Sequence, residues 1–267
     1  MIYSDTNLPA YERQARIAIL VNQKQRVSIA EICAEFAISP ATARRDLKVL
    51  EKSGAIERFH GGAIAAKSAP PEPPLSLRSV DNIKEKRQIG RLAATLVEDN
   101  DTIFLGSGTT VLEVAHNLRN HNNLTVITNS LMVMTVLAGC SQLTLVGLGG
   151  VLRVSEMSFI GHLTEQALAE LRVNKTIMGI HAIDIERGLT NDYLPETQTD
   201  RKILEIGQQV ILVADHTKCE RASTAFLAPI SVVNTFITDS QAPADFLLAL
   251  KELNIRVLAS ESEDTAS

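Results

Sequence analysis

The sequence predicts an N-terminal winged helix-turn-helix domain over residues 1–65 and an α/β domain with a mainly parallel sheet over residues 80–267. Three observations carry this. Residues 39–52 pattern as a short amphipathic helix with one basic face. Residues 66–74 hold four prolines, so residues 66–79 read as a Pro-rich, extended linker. From Val80 onward helical and strand patterns alternate, as they do where crossover helices join parallel strands.

The bulk numbers agree. A chain of 267 residues suits two domains, and 45% hydrophobic content is enough for real cores. The net charge of −5 is unevenly spread: residues 1–67 carry 10 Lys/Arg against 7 Asp/Glu, and the remainder 16 against 24. A basic head on an acidic body fits a nucleic-acid module joined to a second function. Cys33, Cys140 and Cys219 are far apart and form no CxxC pair, so no disulfide framework is expected. Cys33 reads as a small core residue beside Ile29, Ile32 and Phe36. No apolar run approaches the ~18 residues of a membrane span, and no basic-then-apolar leader opens the chain. A cytoplasmic protein is expected.

In the first domain, residues 10–22 form a helix with Ile17, Leu20 and Val21 inside, followed by a polar turn over 23–26. Ser28 and Glu31 have capping-box spacing and open a second helix. Ala37-Ile38 is the turn. Ser39 is then an N-cap with Pro40 at the first helical position. At about 100° per residue, Ala43, Leu47 and Leu50 share one face. Ala41, Arg45, Lys48 and Lys52 point the other way, flanked by Thr42 and Arg44. A solvated amphipathic helix would look the same alone. The preceding helix and tight turn make it the second helix of a helix-turn-helix, which enters the major groove. Residues 55–64 read as two strands around a glycine turn, a wing. The DNA-contact candidates are therefore Ser28, Ser39, Ala41, Thr42, Arg44, Arg45 and Lys48, with Arg58, His60, Gly61 and Gly62 on the wing.

In the second domain, helices are expected over 82–97, 110–118, 131–138, 162–170, 196–208 and 243–253. Strands are expected over 102–105, 124–127, 143–146, 175–179, 210–213, 235–238 and 255–258. Ligands of such sheets sit beyond the carboxyl ends of the strands. Four loops there are rich in donors. Ser107, Gly108, Thr109 and Thr110 follow a strand and open a helix, where backbone N–H groups can hold a phosphate. A plain tight turn is the alternative, since neither a Walker A loop nor a dinucleotide fingerprint is present. Thr128-Asn129 and Gly149-Gly150 end the next two strands, and Asp215 with Lys218 ends a fourth. Lys218 would supply one cation.

Catalytic signals are weak. The six histidines show no metal-ligand spacing, and no Gly-x-Ser-x-Gly elbow occurs. Asp184, Glu196 and Asp215 would be the general bases if the domain were a sugar-phosphate isomerase-like enzyme carrying a nucleic-acid module. An oligomeric scaffold with no small ligand is a third reading. No cofactor and no metal are expected.

Several motifs resemble the DeoR family of bacterial transcriptional regulators. These are Ser39-Pro40-Ala41-Thr42-Ala43-Arg44-Arg45-Asp46-Leu47, Leu50-Glu51 and Arg58-Phe59-His60-Gly61-Gly62-Ala63 in the first domain. In the second they are Ser107-Gly108-Thr109-Thr110, Thr128-Asn129, Gly149-Gly150, Gly161, Gly188-Leu189-Thr190, Glu196 and Asp215-His216-Thr217-Lys218. The resemblance implies a sensor domain shaped like ribose-5-phosphate isomerase and coenzyme A transferases, without catalysis. It implies a phosphorylated sugar or related metabolite as effector, double-stranded operator DNA as partner, and a homo-oligomer, dimer or tetramer. It further implies a repressor of a carbohydrate-utilisation operon. Three residues depart from the family pattern. Gly106 replaces an Asp, Ala43 replaces Ile or Val on the buried face and implies looser packing, and Cys219-Glu220 replace Phe-Gly.

Overall fold

Ile17 and Val21 fall on one side of the first helix, α1 (Ala10–Lys24), and both are fully buried. The structure, a computed structural model, describes residues 9–24, 26–52, 55–65, 69 and 72–260. Strand β1 (Arg26–Ser28) runs into α2 (Ile29–Phe36). Glu31 N–H donates to the Ser28 hydroxyl, and Ser28 N–H donates back to the Glu31 carboxylate at 2.7 Å, closing the capping box. Ala37, in the left-handed region at φ 50°, ends α2. Helix α3 (Pro40–Lys52) begins where Thr42 N–H donates to Ser39 Oγ at 3.2 Å.

Strands β2 (Ile56–Phe59) and β3 (Gly62–Ala65) form the expected wing. β1 pairs with β3, so the sheet has the order β1-β3-β2. The polar turn expected over 23–26 is thus corrected. Lys24 belongs to α1, Arg26 opens a strand, and Gln25 lies outside the described residues. A three-residue strand exists only through its tertiary partner and leaves no period in the sequence. Gly62 is what lets β1 approach. A Cβ there would lie 2.1 Å from the Val27 carbonyl oxygen.

Val27, Ile32, Ala43, Leu47, Leu50, Ile56 and Ala63 complete this core. Ala43 is wholly enclosed. The apolar period missed one member of the buried face. Asp46 is 2% exposed, with Arg13 Nε at 2.7 Å and Gln14 Nε2 at 2.9 Å. This ion pair ties α3 to α1.

The chain divides into Met1–Pro71 and Glu72–Ser267. The linker expected over 66–79 is corrected at its C-terminal part. Glu72 N–H donates to Asp192 Oδ2 at 3.0 Å, and Leu75 N–H to the Ser155 carbonyl at 2.8 Å. Residues 75–78 form a helical turn, α4 (Leu75–Arg78), with Pro74 at its N-cap, where proline's missing N–H costs nothing. Residues 66–68, 70 and 71 of the expected linker lie outside the described residues.

The second unit follows as α5 (Ile83–Ala94), β4 (Thr102–Leu105), α6 (Thr109–Asn117), β5 (Thr125–Thr128), α7 (Leu131–Leu137) and β6 (Thr144–Gly147). Then come β7 (Val151–Arg153), β8 (Ser158–Ile160), α8 (His162–Ala169), β9 (Val173–Met178), β10 (Ala182–Asp184) and β11 (Gly188–Asn191). It closes with α9 (Leu194–Ile206), β12 (Gly207–Val213), β13 (Ala225–Ala228), β14 (Thr235–Asp239), α10 (Ala244–Glu252) and β15 (Arg256–Ser260). Seven strands form one parallel sheet in the order β15-β14-β12-β9-β4-β5-β6. Alternate residues serve opposite faces. Ile103, Leu105, Ile177, Val213 and Ile237 pack with α5, α6 and α7, while Phe104, Met178, Leu212 and Phe236 pack with α8, α9 and α10. Burial on both faces is why these strands read as apolar runs. The hairpin β7-β8 and the antiparallel sheet β10-β11-β13 were not legible as strands.

The Asp46 pair gives a test of the N-terminal unit. Asp46→Ala removes charged hydrogen bonds worth about 2–3 kcal/mol. Amide exchange within α1 and α3 should then quicken by roughly 30- to 100-fold. Unchanged protection would show that the pair does not hold the helices.

Candidate functional site

The surface of α3 that faces away from its core carries Ala41, Arg44, Arg45 and Lys48, all exposed. Ser39 is exposed, and its hydroxyl lies 2.9 Å from Thr42 Oγ1. On the wing, His60 and Gly61 are exposed, and Arg58 Nη1 is 3.4 Å from Glu51 Oε2. Ser28 has its hydroxyl engaged by Glu31. Gly62 is buried beneath Val27 and does not present a surface. Helix α3 thus presents Arg44, Arg45 and Lys48 at the surface, where a major-groove helix needs them.

In the second unit, successive strands are added outward from β4 through β5 to β6 on one side of the sheet, and from β9 through β12 and β14 to β15 on the other. The strand order reverses between β4 and β9, which opens a crevice at their carboxyl ends. The loop Gly106-Ser107-Gly108-Thr109-Thr110 leaves β4 at this point. Gly106 N–H donates to the Ile177 carbonyl at 2.9 Å. Gly108 caps α6 at φ 110° with no side-chain hydrogen bond, so the first-turn N–H groups are left for an outside acceptor. Thr109 and Thr110 are largely buried. A side chain at Gly106 would put its Cβ 3.2 Å from Met178 Cβ, so the Asp usual in the family has no ready space here.

The other strand-end loops are more self-contained than their composition suggested. Thr128 Oγ1 accepts from Ser130 N–H, and Asn129 Nδ2 donates to the Phe159 carbonyl. Asn129 Oδ1 is buried without a partner. Gly149 is exposed and its carbonyl takes the Thr164 hydroxyl, against which Gly150 packs. Asp215 accepts from Thr217 N–H and its hydroxyl, capping the short turn His216–Lys218. Glu196 is bonded by Arg153 and, at 3.0 Å, by the Ser158 hydroxyl. Asp184 accepts from Glu186 and Arg187 N–H at 3.0 and 2.8 Å. The three candidate general bases thus each have an internal partner. Glu220 stands in the left-handed region at φ 56°, which explains the usual glycine there. The Cys219 thiol is raised well above its usual range, chiefly by burial.

Lys218 has a partner that was not foreseen. Its ammonium bonds the Glu72 carboxylate, which also lies 3.1 Å from Arg78 Nη1 and 3.4 Å from His181 Nδ1. Burial would raise the Glu72 carboxyl, but Lys218, His181 and Arg78 outweigh this and hold it well below the usual carboxylate range. Arg78 further bonds Glu156, whose carboxyl is raised by burial. Lys86, 4% exposed, donates to the carbonyls of Arg78 and Asp81 at 2.8 and 2.6 Å, and burial lowers it. Burial pushes Asp200 up to about 7, against its bond from Asn191 and the charge of Arg153. Sequence reasoning missed Glu72, Arg78, Lys86, Arg153, Glu156 and His181. Only His181 had a signal: it follows β9, at a strand end like the residues that were chosen. Among the described residues, no cluster of three or more His, Cys, Asp or Glu is arranged to hold a metal ion.

Two family models match the chain. A DeoR-like helix-turn-helix domain covers residues 13–69, and a DeoR C terminal sensor domain covers residues 81–240. The chain is 35% identical to the transcriptional repressor AccR of Agrobacterium fabrum over 90% of its own length and 92% of that protein's. It is 34% identical to the glycerol-3-phosphate regulon repressor of Escherichia coli, over 92% and 97%. Ribose 5-phosphate isomerase A of Methanocaldococcus jannaschii overlaps 52% of this chain and 55% of its own, with 17% identity and a TM-score of 0.39.

At the rim of the site, His216 Nδ1 lies 3.0 Å from Asp239 Oδ1. Burial lowers His216, but the Asp239 bond and charge prevail and raise it above 6.5; Asp239 is lowered below 3.8 despite burial, chiefly by His216. The raised histidine adds stability that is full below pH 6.5 and is lost as pH rises through its folded value. The lowered aspartate adds stability that is full above pH 3.8 and is lost as pH falls through its own. Asp239→Asn should therefore lower Tm more at pH 6 than at pH 9. An equal drop at both would show that the ion pair contributes nothing.

Proposed function

The chain belongs to the DeoR family of DNA-binding transcriptional regulators, and we propose that it represses a carbohydrate-utilisation operon in the cytoplasm until a phosphorylated sugar or related metabolite binds its second unit. The observation that carries the reading is the reversal of strand order at β4 and β9, with an uncapped helix start on one side and His181 and Lys218 on the next two strand ends. Backbone N–H groups at the start of α6 suit a phosphate oxygen, and Lys218 adds a charge-assisted bond. Relatives named as repressors, one of a glycerol-3-phosphate regulon, support the class of response. No catalytic step is part of the proposal: Asp184, Glu196 and Asp215 have internal partners. The first unit reads operator DNA through the exposed face of α3, and a homo-oligomer would match repeated half-sites.

Arg45 is exposed on that face, so Arg45→Ala should leave the fold intact and weaken operator binding. If it reads a guanine edge, the loss is about 1–3 kcal/mol and specificity relaxes at one position. If it meets phosphate, affinity falls evenly and the salt slope drops. Wild-type affinity by fluorescence anisotropy would refute the assignment.

Lys218→Ala and Thr109→Ala should each give a regulator that binds operator but responds to effector only at roughly tenfold to hundredfold higher concentration. The measurement is operator affinity with and without effector. Release at the wild-type effector concentration by both variants would put the pocket elsewhere. Loss of DNA binding without effector would make the two residues structural.

A further inference from the structure

We propose that Glu72 is an internal ligand of the effector site, its carboxylate holding Lys218, Arg78 and His181 until a phosphate monoester displaces it. This rests on the reading of that edge as the effector site. Glu72 is the first residue of the second unit, following directly on the chain that leads from the DNA-binding unit. Its side chain lies among three basic groups at the end of the sheet: Lys218 on its Oε1, Arg78 at 3.1 Å on its Oε2, and His181 at 3.4 Å. The carboxylate is therefore ionised throughout the neutral range.

His181 supplies an independent pointer to a ligand. It is 7% exposed; its Nε2 has no hydrogen-bond partner, and its Nδ1 meets only the Glu72 carboxylate, at 3.4 Å. A buried polar group left unpaired is costly, and a ligand oxygen would satisfy it. A carboxylate has two oxygens and one charge. A phosphate monoester has three free oxygens and a charge of about −1.5 to −2 at pH 7. One phosphate can therefore serve Lys218, Arg78 and His181 together, where Glu72 serves two well and the third poorly. β12, β9 and β4 are neighbours, so Lys218, His181 and the 106–110 loop stand on three successive strand ends. The rest of a sugar phosphate has the crevice at β4 beside it.

Displacement has a mechanical consequence. The strip from Glu72 to Asp81 is held by the Glu72 carboxylate, by Glu72 and Leu75 N–H bonds, by Arg78 to Glu156, and by Lys86 to two carbonyls. Phosphate would take Lys218 and His181, the partners of Glu72 outside the strip, and its charge would repel the carboxylate, whereas Lys218→Ala alone leaves His181 and Arg78 beside Glu72. The strip that carries the chain to the DNA-binding unit is then loosened, which is how a ligand bound in the second unit alters the first. A ligand that must expel an internal competitor binds with an affinity reduced by the fraction of open site.

The test is calorimetric titration of inorganic phosphate into the full chain, in wild type, Glu72→Gln, Lys218→Ala and the double variant. Glu72→Gln should tighten phosphate binding about tenfold, since the neutral amide no longer competes for the cations. Lys218→Ala should weaken it in both backgrounds. Equal affinity in wild type and Glu72→Gln, or weaker binding in Glu72→Gln, overturns the internal ligand while leaving the anion site standing if Lys218→Ala still weakens binding. Indifference to Lys218→Ala in both backgrounds overturns the site itself. No binding to Glu72→Gln at millimolar phosphate also overturns the proposal. Hydrogen exchange in the wild-type protein guards against a misfolded variant: saturating phosphate should speed exchange at the Glu72 and Leu75 amides. Slower or unchanged exchange there contradicts displacement.

Discussion

The sensor edge depends on one constraint of the parallel sheet. All seven strands point the same way, so every strand ends on the same side. Their order reverses once, between β4 and β9, and the crossovers leave in opposite directions there. A crevice is unavoidable at that place. The 106–110 loop leaves β4 on one side, and Gly179, Ile180 and His181 leave β9 on the other. The apolar cores on the two faces of the sheet hold these ends in register without contributing a polar group of their own.

Around the crevice the protein buries charge that it has to compensate. Glu72, Glu156, Glu196, Arg78, Arg153 and Lys86 are half-buried or deeper, and each has at least one opposite charge or carbonyl partner. Ion pairs removed from water gain little net stability over apolar packing, because desolvation offsets attraction. Their use here is that they can be exchanged. An incoming anion can replace a carboxylate on the same cations at small net cost, which a hydrocarbon contact would not allow. The N-terminal unit uses charge differently. Asp46 with Arg13 and Gln14 is a fixed brace, and Arg44, Arg45 and Lys48 are left exposed on the opposite face of α3.

Much of this was legible from residue order. The Ser28–Glu31 capping box, the Ser39 N-cap and the seven parallel strands follow from local chemistry and apolar period, and the structure contains them. What escaped is what depends on distant partners. β1 exists because β3 lies beside it across Gly62. Asp46 is polar by type but buried through residues 32 and 33 positions away. Glu72 and Arg78 sit in a proline-rich stretch whose composition says linker, and only their contacts with Lys218 and Glu156 show otherwise. Loop composition also overstated the strand ends: Thr128, Gly150 and Asp215 carry the right atoms but spend them on their own turns and packing.

The central claim is that a phosphate group on the ligand, read at the sheet's carboxyl edge, sets operator affinity. The most direct measurement is operator affinity of the full-length protein in the presence of matched pairs of sugars and their phosphate monoesters. The account predicts that at least one phosphorylated compound lowers affinity by 5- to 150-fold, the usual range of about 1–3 kcal/mol for coupled sites, while its unphosphorylated partner has no effect. An equal response to both members of every active pair would contradict it.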